Sequence, residues 1–110
     1  MYNLVKLEEL SGGDSDFIVS VITLFIEEVP EDILQISKGI DEKDFTKIYQ
    51  HAHKIKPNVD LVGLDLAFQK ILEIEQSAKS ENMPEVLEKY AIIKSEVEDA
   101  VEALKKDFKL

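Results

Sequence analysis

The stretch from Ala52 to Gly63 reads AHKIKPNVDLVG and contains the pattern in this chain that is best suited to chemistry. Lys56 follows His53 by three residues, and residues three apart are neighbours on the surface of a helix. An imidazole that is neutral near pH 7 is a good nucleophile. An ammonium beside it offsets the charge of phosphoryl oxygens. The pair therefore suits the transfer of a phosphoryl group.

Composition narrows the classes of function. The 110 residues, 45% of them hydrophobic, suffice for one core, so we expect residues 1–110 to form a single domain. The 13 basic and 23 acidic residues give a net charge of −10, which opposes binding to nucleic acid and to anionic membranes. The lack of cysteine fits a reducing compartment. With neither a signal peptide nor an apolar run of about 20 residues, a cytoplasmic protein is expected.

The spacing of apolar residues is helical almost everywhere, which predicts an all-α fold. A short helix at Leu4–Leu10 should end at Gly12–Gly13, and four longer helices should follow it. Asn82 is expected to cap the last of them. Because short connections favour antiparallel neighbours, the expected architecture is an up-down-up-down four-helix bundle with a short N-terminal cap helix.

Capping residues, proline and glycine indicate where the first long helix begins and ends. Asp14 or Ser15 can cap its start, and its apolar stripe continues through Pro30, which predicts a bend within one helix. Gly39 is expected near its end, and Asp41 is expected to cap the next helix.

The helix that carries His53 has a well-defined buried stripe. At about 100° per residue, His53 points about 140° away from that stripe and should be exposed, whereas His51 lies within about 60° of it. His51 therefore suits a partly buried structural role. Lys56, about 80° from the stripe, can lay its stem on apolar surface while its ammonium reaches toward His53. The two histidines point about 200° apart, so no metal site is expected. The stripe consists of Ile48, Ala52, Ile55, Val59 and Val62.

The stretch AHKIKPNVDLVGL resembles the signature of the histidine phosphotransfer (HPt) domain, a four-helix bundle of two-component phosphorelays. The family pattern is roughly H-x-L-K-G, five residues, then G. His53, Ile55, Lys56 and Gly63 match it, and Pro57 stands where the first glycine is usual. The segment SGGDSDFIVSVITLFIEEVPEDI also resembles the family's entry into its first long helix. The resemblance implies that His53 is phosphorylated on the ring nitrogen farther from the backbone and that Lys56 stabilises the phosphoryl group.

The resemblance also implies the partners. They are receiver domains of response regulators and a sensor or hybrid histidine kinase, and the receiver supplies the phospho-aspartate and Mg²⁺. The chain itself then needs no cofactor and is a phosphotransfer protein rather than an autonomous enzyme. We expect a monomer.

The surface around His53 is the expected docking site. Phe17, Val21 and Leu24 form a second apolar row on the first long helix, which is either covered by the N-terminal helix or left partly exposed for a partner. The interface candidates are Gln50, Lys54, Pro57, Asp60, Val21, Leu24 and Gly63.

Two other functions remain open from the sequence. Pro57 removes the helical hydrogen bond to the carbonyl of His53, so the chain can instead be a receiver-binding bundle that has lost phosphotransfer. The long apolar seam from Val86 to Phe108 is compatible with a helical dimerisation module.

Overall fold

The computed structural model describes residues 1–110 and contains five helices and no strand. They are α1 (Val5–Ser11), α2 (Ser15–Glu42), α3 (Phe45–Leu61), α4 (Asp65–Lys79) and α5 (Met83–Phe108). Each long helix contacts the next, and α5 contacts α2, so that the four surround one core while α1 packs on α2. The predicted all-α class is confirmed. None of the helices combines the length and the apolarity that a membrane span requires.

Two of the expected helix caps are present. The Asp14 carboxylate accepts hydrogen bonds from the backbone N–H groups of Asp16 and Phe17 at the start of α2. The Asn82 side chain accepts one from the backbone N–H of Glu85 at the start of α5. Such caps satisfy N–H groups that have no partner within the helix, so these two signals fix where α2 and α5 begin.

The prediction that Asp41 caps α3 was wrong. Asp41 lies inside α2, and Asp44 caps α3 instead. Gly39 lies near the end of α2, as expected, but it is part of the helix. A Cβ at Gly39 would lie 3.0 Å from Cγ1 of Ile48, so the missing side chain allows α2 and α3 to approach closely. The residue directly after α2 is Lys43, which adopts the left-handed conformation (φ 54°) that glycine more often takes at this position.

The apolar stripes meet in one core that fixes the rotation of α3. All five predicted stripe residues of α3 are fully buried. Neither proline divides its helix, since α2 is continuous through Pro30 and α3 through Pro57. Because the stripe determines which face of α3 is buried, it also determines which side chains of α3 point into solvent.

The N-terminal segment closes over the end of α3. The backbone N–H of Asn3 donates to the carbonyl of Val62 (2.8 Å), and Lys6 binds the carboxylate of Asp60 (2.6 Å). Gly63 is left-handed (φ 71°), and a Cβ there would lie 2.2 Å from the carbonyl oxygen of Asn3. The glycine is therefore required both by the turn and by the close approach of the N-terminal backbone.

Replacing Gly63 should accordingly cost more than replacing a glycine that only needs a left-handed backbone. We expect Gly63→Ala to lower the free energy of unfolding by about 2–4 kcal/mol, the sum of left-handed strain and overlap with Asn3. Gly12→Ala is the matched control because Gly12 is also left-handed but has no atom within 4 Å of its Cβ position, and it should cost about 1 kcal/mol. Urea unfolding followed by circular dichroism measures both. Equal losses would contradict the role assigned to Asn3.

Candidate functional site

His53 projects into solvent from the outer face of α3. Its side chain is 57% exposed, whereas Ala52, one residue before it, and Ile55, two residues after it, are fully buried. This contrast follows from the helical rotation that the stripe imposes. The predicted exposure of His53 is confirmed.

A carboxylate from the neighbouring helix holds the imidazole. Oε2 of Glu75, on α4, lies 2.7 Å from Nδ1 of His53. Glu75 is one of the two buried charged or polar side chains of the domain. A carboxylate oxygen accepts hydrogen bonds, so this contact favours the tautomer of the neutral imidazole that carries its proton on Nδ1. The lone pair of Nε2, the nitrogen farther from the backbone, is then available as a nucleophile.

Lys56 binds the same carboxylate. Its Nζ lies 3.1 Å from Oε1 and 3.3 Å from Oε2 of Glu75. The ammonium was expected to reach toward His53, and the structure brings it there through this shared partner. A buried carboxylate is costly unless it is paired and hydrogen-bonded, and Lys56 and His53 together satisfy that requirement.

Tyr49 covers one face of the imidazole. It precedes His53 by one helical turn, its ring centroid lies 5.7 Å from that of His53, and the two planes are inclined by only 9°. The Nζ of Lys79, at the end of α4, lies 5.1 Å from the centroid of the Tyr49 ring. His53 is thus held at one edge by Glu75 and on one face by Tyr49, and these two contacts together define the plane of its ring.

His51 faces α2 and repeats this arrangement on the other side of α3. Its Nδ1 lies 2.8 Å from Oδ1 of Asp32, a buried carboxylate that also binds Nζ of Lys54 at 3.2 Å. The imidazole of His51 is only 27% exposed, about half as much as that of His53. The expected structural role of a partly buried His51 is consistent with its contacts. The two histidines bind carboxylates of different helices.

Three of the interface candidates lie on α3 near His53. Gln50 and Pro57 are exposed, one turn before and one turn after His53, and they share its outer face. Lys54 is also exposed, but its ammonium is directed to Asp32 on the side of α2. Gln50 and Pro57 are therefore the candidates that α3 brings closest to the imidazole.

Asp60 lies farther along α3, and Gly63 follows the end of that helix. A rise of 1.5 Å per residue places Asp60 about 10 Å from His53 along the helix axis. Asp60 is bound by Lys6, and this hydrogen bond raises the pKa of the Lys6 ammonium. Gly63 faces the backbone of Asn3. Their observed contacts thus join the N-terminal segment to the end of α3.

The second apolar row of α2 remains partly open. Phe17 and Leu24 are exposed, and Val21 is half-buried. In the N-terminal segment Leu7 is fully buried, but Val5 is itself exposed. The N-terminal helix therefore leaves part of this apolar row accessible to a partner.

Glu75 and Tyr49 are site residues that the sequence analysis missed. Glu75 directly follows Ile74 in α4 and lies near the apolar face of that helix. An acidic residue at the edge of an apolar face was the only feature of the sequence that could have indicated its role. Tyr49 precedes His53 by four residues, which is a contact spacing on any helix. The signal at Glu75 does not name its partner, because the pairing of Glu75 with His53 depends on how α3 and α4 pack.

These features define a class of protein: a helical domain that presents one exposed imidazole, hydrogen-bonded at Nδ1 beside a lysine. The sequence matches the family model described as Hpt domain over residues 20–107, and the chain belongs to this family. It is thus a phosphorelay intermediate.

Solved structures show the same fold. The HPT domain of an Hpt sensor hybrid histidine kinase from Shewanella is 15% identical, with a TM-score of 0.83 over 97% of this chain and 92% of that one. The histidine-containing phosphotransfer protein ZmHP2 from maize is 19% identical, with a TM-score of 0.73 over 94% of this chain and 81% of that one. No curated protein matches the sequence.

The tautomer of His53 should depend on Glu75. We expect ¹⁵N NMR of the wild-type imidazole at a pH where it is neutral to show the proton on Nδ1, and Glu75→Ala to shift the population toward the tautomer protonated on Nε2. The reason is that the substitution removes the acceptor of the Nδ1 hydrogen bond. His51 is an internal control, since its partner Asp32 is unchanged. A His53 tautomer that does not respond to Glu75→Ala would contradict the assignment.

Proposed function

We propose that His53 accepts a phosphoryl group from the phospho-aspartate of a receiver domain or hybrid kinase and passes it to another response regulator. The observation that supports this most directly is the geometry of His53, which is exposed and is bonded through Nδ1 so that Nε2 is free. His51 has a similar hydrogen bond but only about half the exposure.

The chemistry requires no proton transfer from Nε2. Its lone pair attacks phosphorus, the bond between phosphorus and the aspartyl oxygen breaks, and the electron pair of that bond leaves on the aspartate carboxylate. The proton stays on Nδ1, where Glu75 accepts its hydrogen bond and offsets the positive charge that the ring acquires. Transfer to the next aspartate is the reverse of this step.

Lys56 is proposed to stabilise the phosphoryl group. Its ammonium is held beside the imidazole by Glu75 and can donate to a phosphoryl oxygen while it remains near that carboxylate. Mg²⁺ is proposed to be bound by the partner receiver domain, where it would offset the charge on the phosphoryl group that is transferred.

The proposed docking surface is the outer face of α3 around His53, with Gln50 and Pro57 beside it and the open apolar row of α2 as a further contact. This exposed surface is the proposed contact for receiver domains and for a sensor or hybrid histidine kinase. We further propose that residues 1–110 act as one monomeric domain in the cytoplasm. Its proposed arrangement is an up-down-up-down bundle with α1 as a cap, which the ring of helix contacts supports.

Pro57 favours one alternative. It stands where the family pattern has glycine, so a bundle that binds receivers without accepting phosphate is the second candidate function. Pro57 is exposed and lies one turn beyond His53, where it can alter how a partner approaches. It leaves α3 continuous and His53 exposed, which favours transfer over binding alone.

The two functions are separated by labelling with a radioactively phosphorylated receiver domain in the presence of Mg²⁺. We expect the wild-type chain to acquire acid-labile phosphate and His53→Gln to acquire none. His51→Gln is the matched control, because it changes the same residue type in a similar contact on the same helix, and it should be labelled as the wild type is.

The outcomes are distinct. Labelling of His53→Gln would place the phosphoryl group elsewhere and contradict the proposed site. A wild-type chain that binds the phosphorylated receiver, measured by calorimetry, but stays unlabelled would favour the binding module.

A further inference from the structure

Tyr49 packs against the edge of the core and also stacks on the exposed ring of His53. The buried stripe of α3 passes through Ile48 and Ala52, and Tyr49 lies beside it, half-buried at the edge of the core. Its ring is nearly parallel to the imidazole, with centroids 5.7 Å apart and planes inclined by 9°. Offset aromatic rings attract one another at such separations. The ring of Tyr49 therefore restrains the plane of the exposed imidazole.

The face of a tyrosine also attracts positive charge. The structure shows this at Tyr49 itself, since the ammonium of Lys79 lies 5.1 Å from its ring centroid. When Nε2 forms a bond to phosphorus and Nδ1 keeps its proton, the imidazole acquires positive charge directly against this ring. Glu75 stabilises that charge from the edge of the imidazole and Tyr49 does so from its face, so that the two contributions are geometrically independent.

We propose that Tyr49 is a positioning residue for phosphoryl transfer through His53: its ring fixes the plane of the imidazole and stabilises the positive charge that the imidazole gains. This inference rests on the proposed function of His53. It assigns to Tyr49 an effect on the rate of transfer, beyond packing.

The test uses the full chain and phosphoramidate, a small donor that needs no docking surface. In that reaction Nε2 of His53 forms a bond to phosphorus. The bond between phosphorus and the amino nitrogen of phosphoramidate breaks, and that nitrogen leaves as ammonia. We expect Tyr49→Leu to slow the phosphorylation of His53 about two- to fivefold, the range that a cation–π contact at an exposed site supplies. Tyr49→Phe keeps the aromatic face and should retain most of the rate.

Two further measurements separate positioning from stability. Tyr90→Leu is the matched control, because Tyr90 is also half-buried against the core but lies on α5. It should leave the phosphorylation rate unchanged even where urea unfolding shows a similar loss of stability. In proton NMR the ring signals of His53 should lose the ring-current shift of Tyr49 in Tyr49→Leu and keep it in Tyr49→Phe.

The outcomes distinguish this proposal from the one it rests on. A wild-type chain that phosphoramidate does not phosphorylate on His53 would overturn the proposed function itself. Phosphorylation of wild type and Tyr49→Leu at equal rates, or equal slowing by Tyr49→Leu and Tyr90→Leu, would overturn the role of Tyr49 alone.

Discussion

The site depends on one buried carboxylate. Glu75 reaches the flank of α3 from α4 and binds both Nδ1 of His53 and Nζ of Lys56. Taking a carboxylate out of water costs several kcal/mol unless it is paired. The hydrogen bonds of His53 and Lys56 to Glu75 are therefore favoured, and they hold both side chains beside its carboxylate. The same contact orients the imidazole, sets its tautomer and keeps an ammonium beside it. An exposed side chain is thereby ordered by a buried one.

The remainder of the fold supports that contact by fixing how α3 is rotated and how close α4 lies. The buried stripe of α3 turns His53 outward, and the core shared with α4 brings Glu75 within hydrogen-bond distance. On the opposite flank, Asp32 binds His51 and Lys54 and joins α3 to α2 in the same way. The helix is therefore held at both edges while its outer face stays open. This is the requirement of a domain that exchanges a phosphoryl group with larger partners.

The sequence predicted several features that depend on a single helix, although it missed the cap Asp44 and the contact of Tyr49 with His53. The period of the apolar residues was sufficient to predict that His53 is exposed and that His51 is partly buried. The helix caps Asp14 and Asn82 were predicted from their residue types. The features that depend on two helices were not predicted. Nothing in the sequence distinguishes Glu75 until α4 packs on α3, and the lack of a side chain at Gly39 is explained only by the approach of Ile48 from α3.

We expect Nε2 of His53, whose lone pair is left free by the bond between Nδ1 and Glu75, to carry the phosphoryl group. The most direct measurement is ³¹P and ¹⁵N NMR of the phosphorylated chain with ¹⁵N-labelled histidine. The spectra should show one phosphohistidine, His53, with phosphorus coupled to Nε2 and the proton retained on Nδ1. Phosphorus coupled to Nδ1, or located on His51, would contradict it.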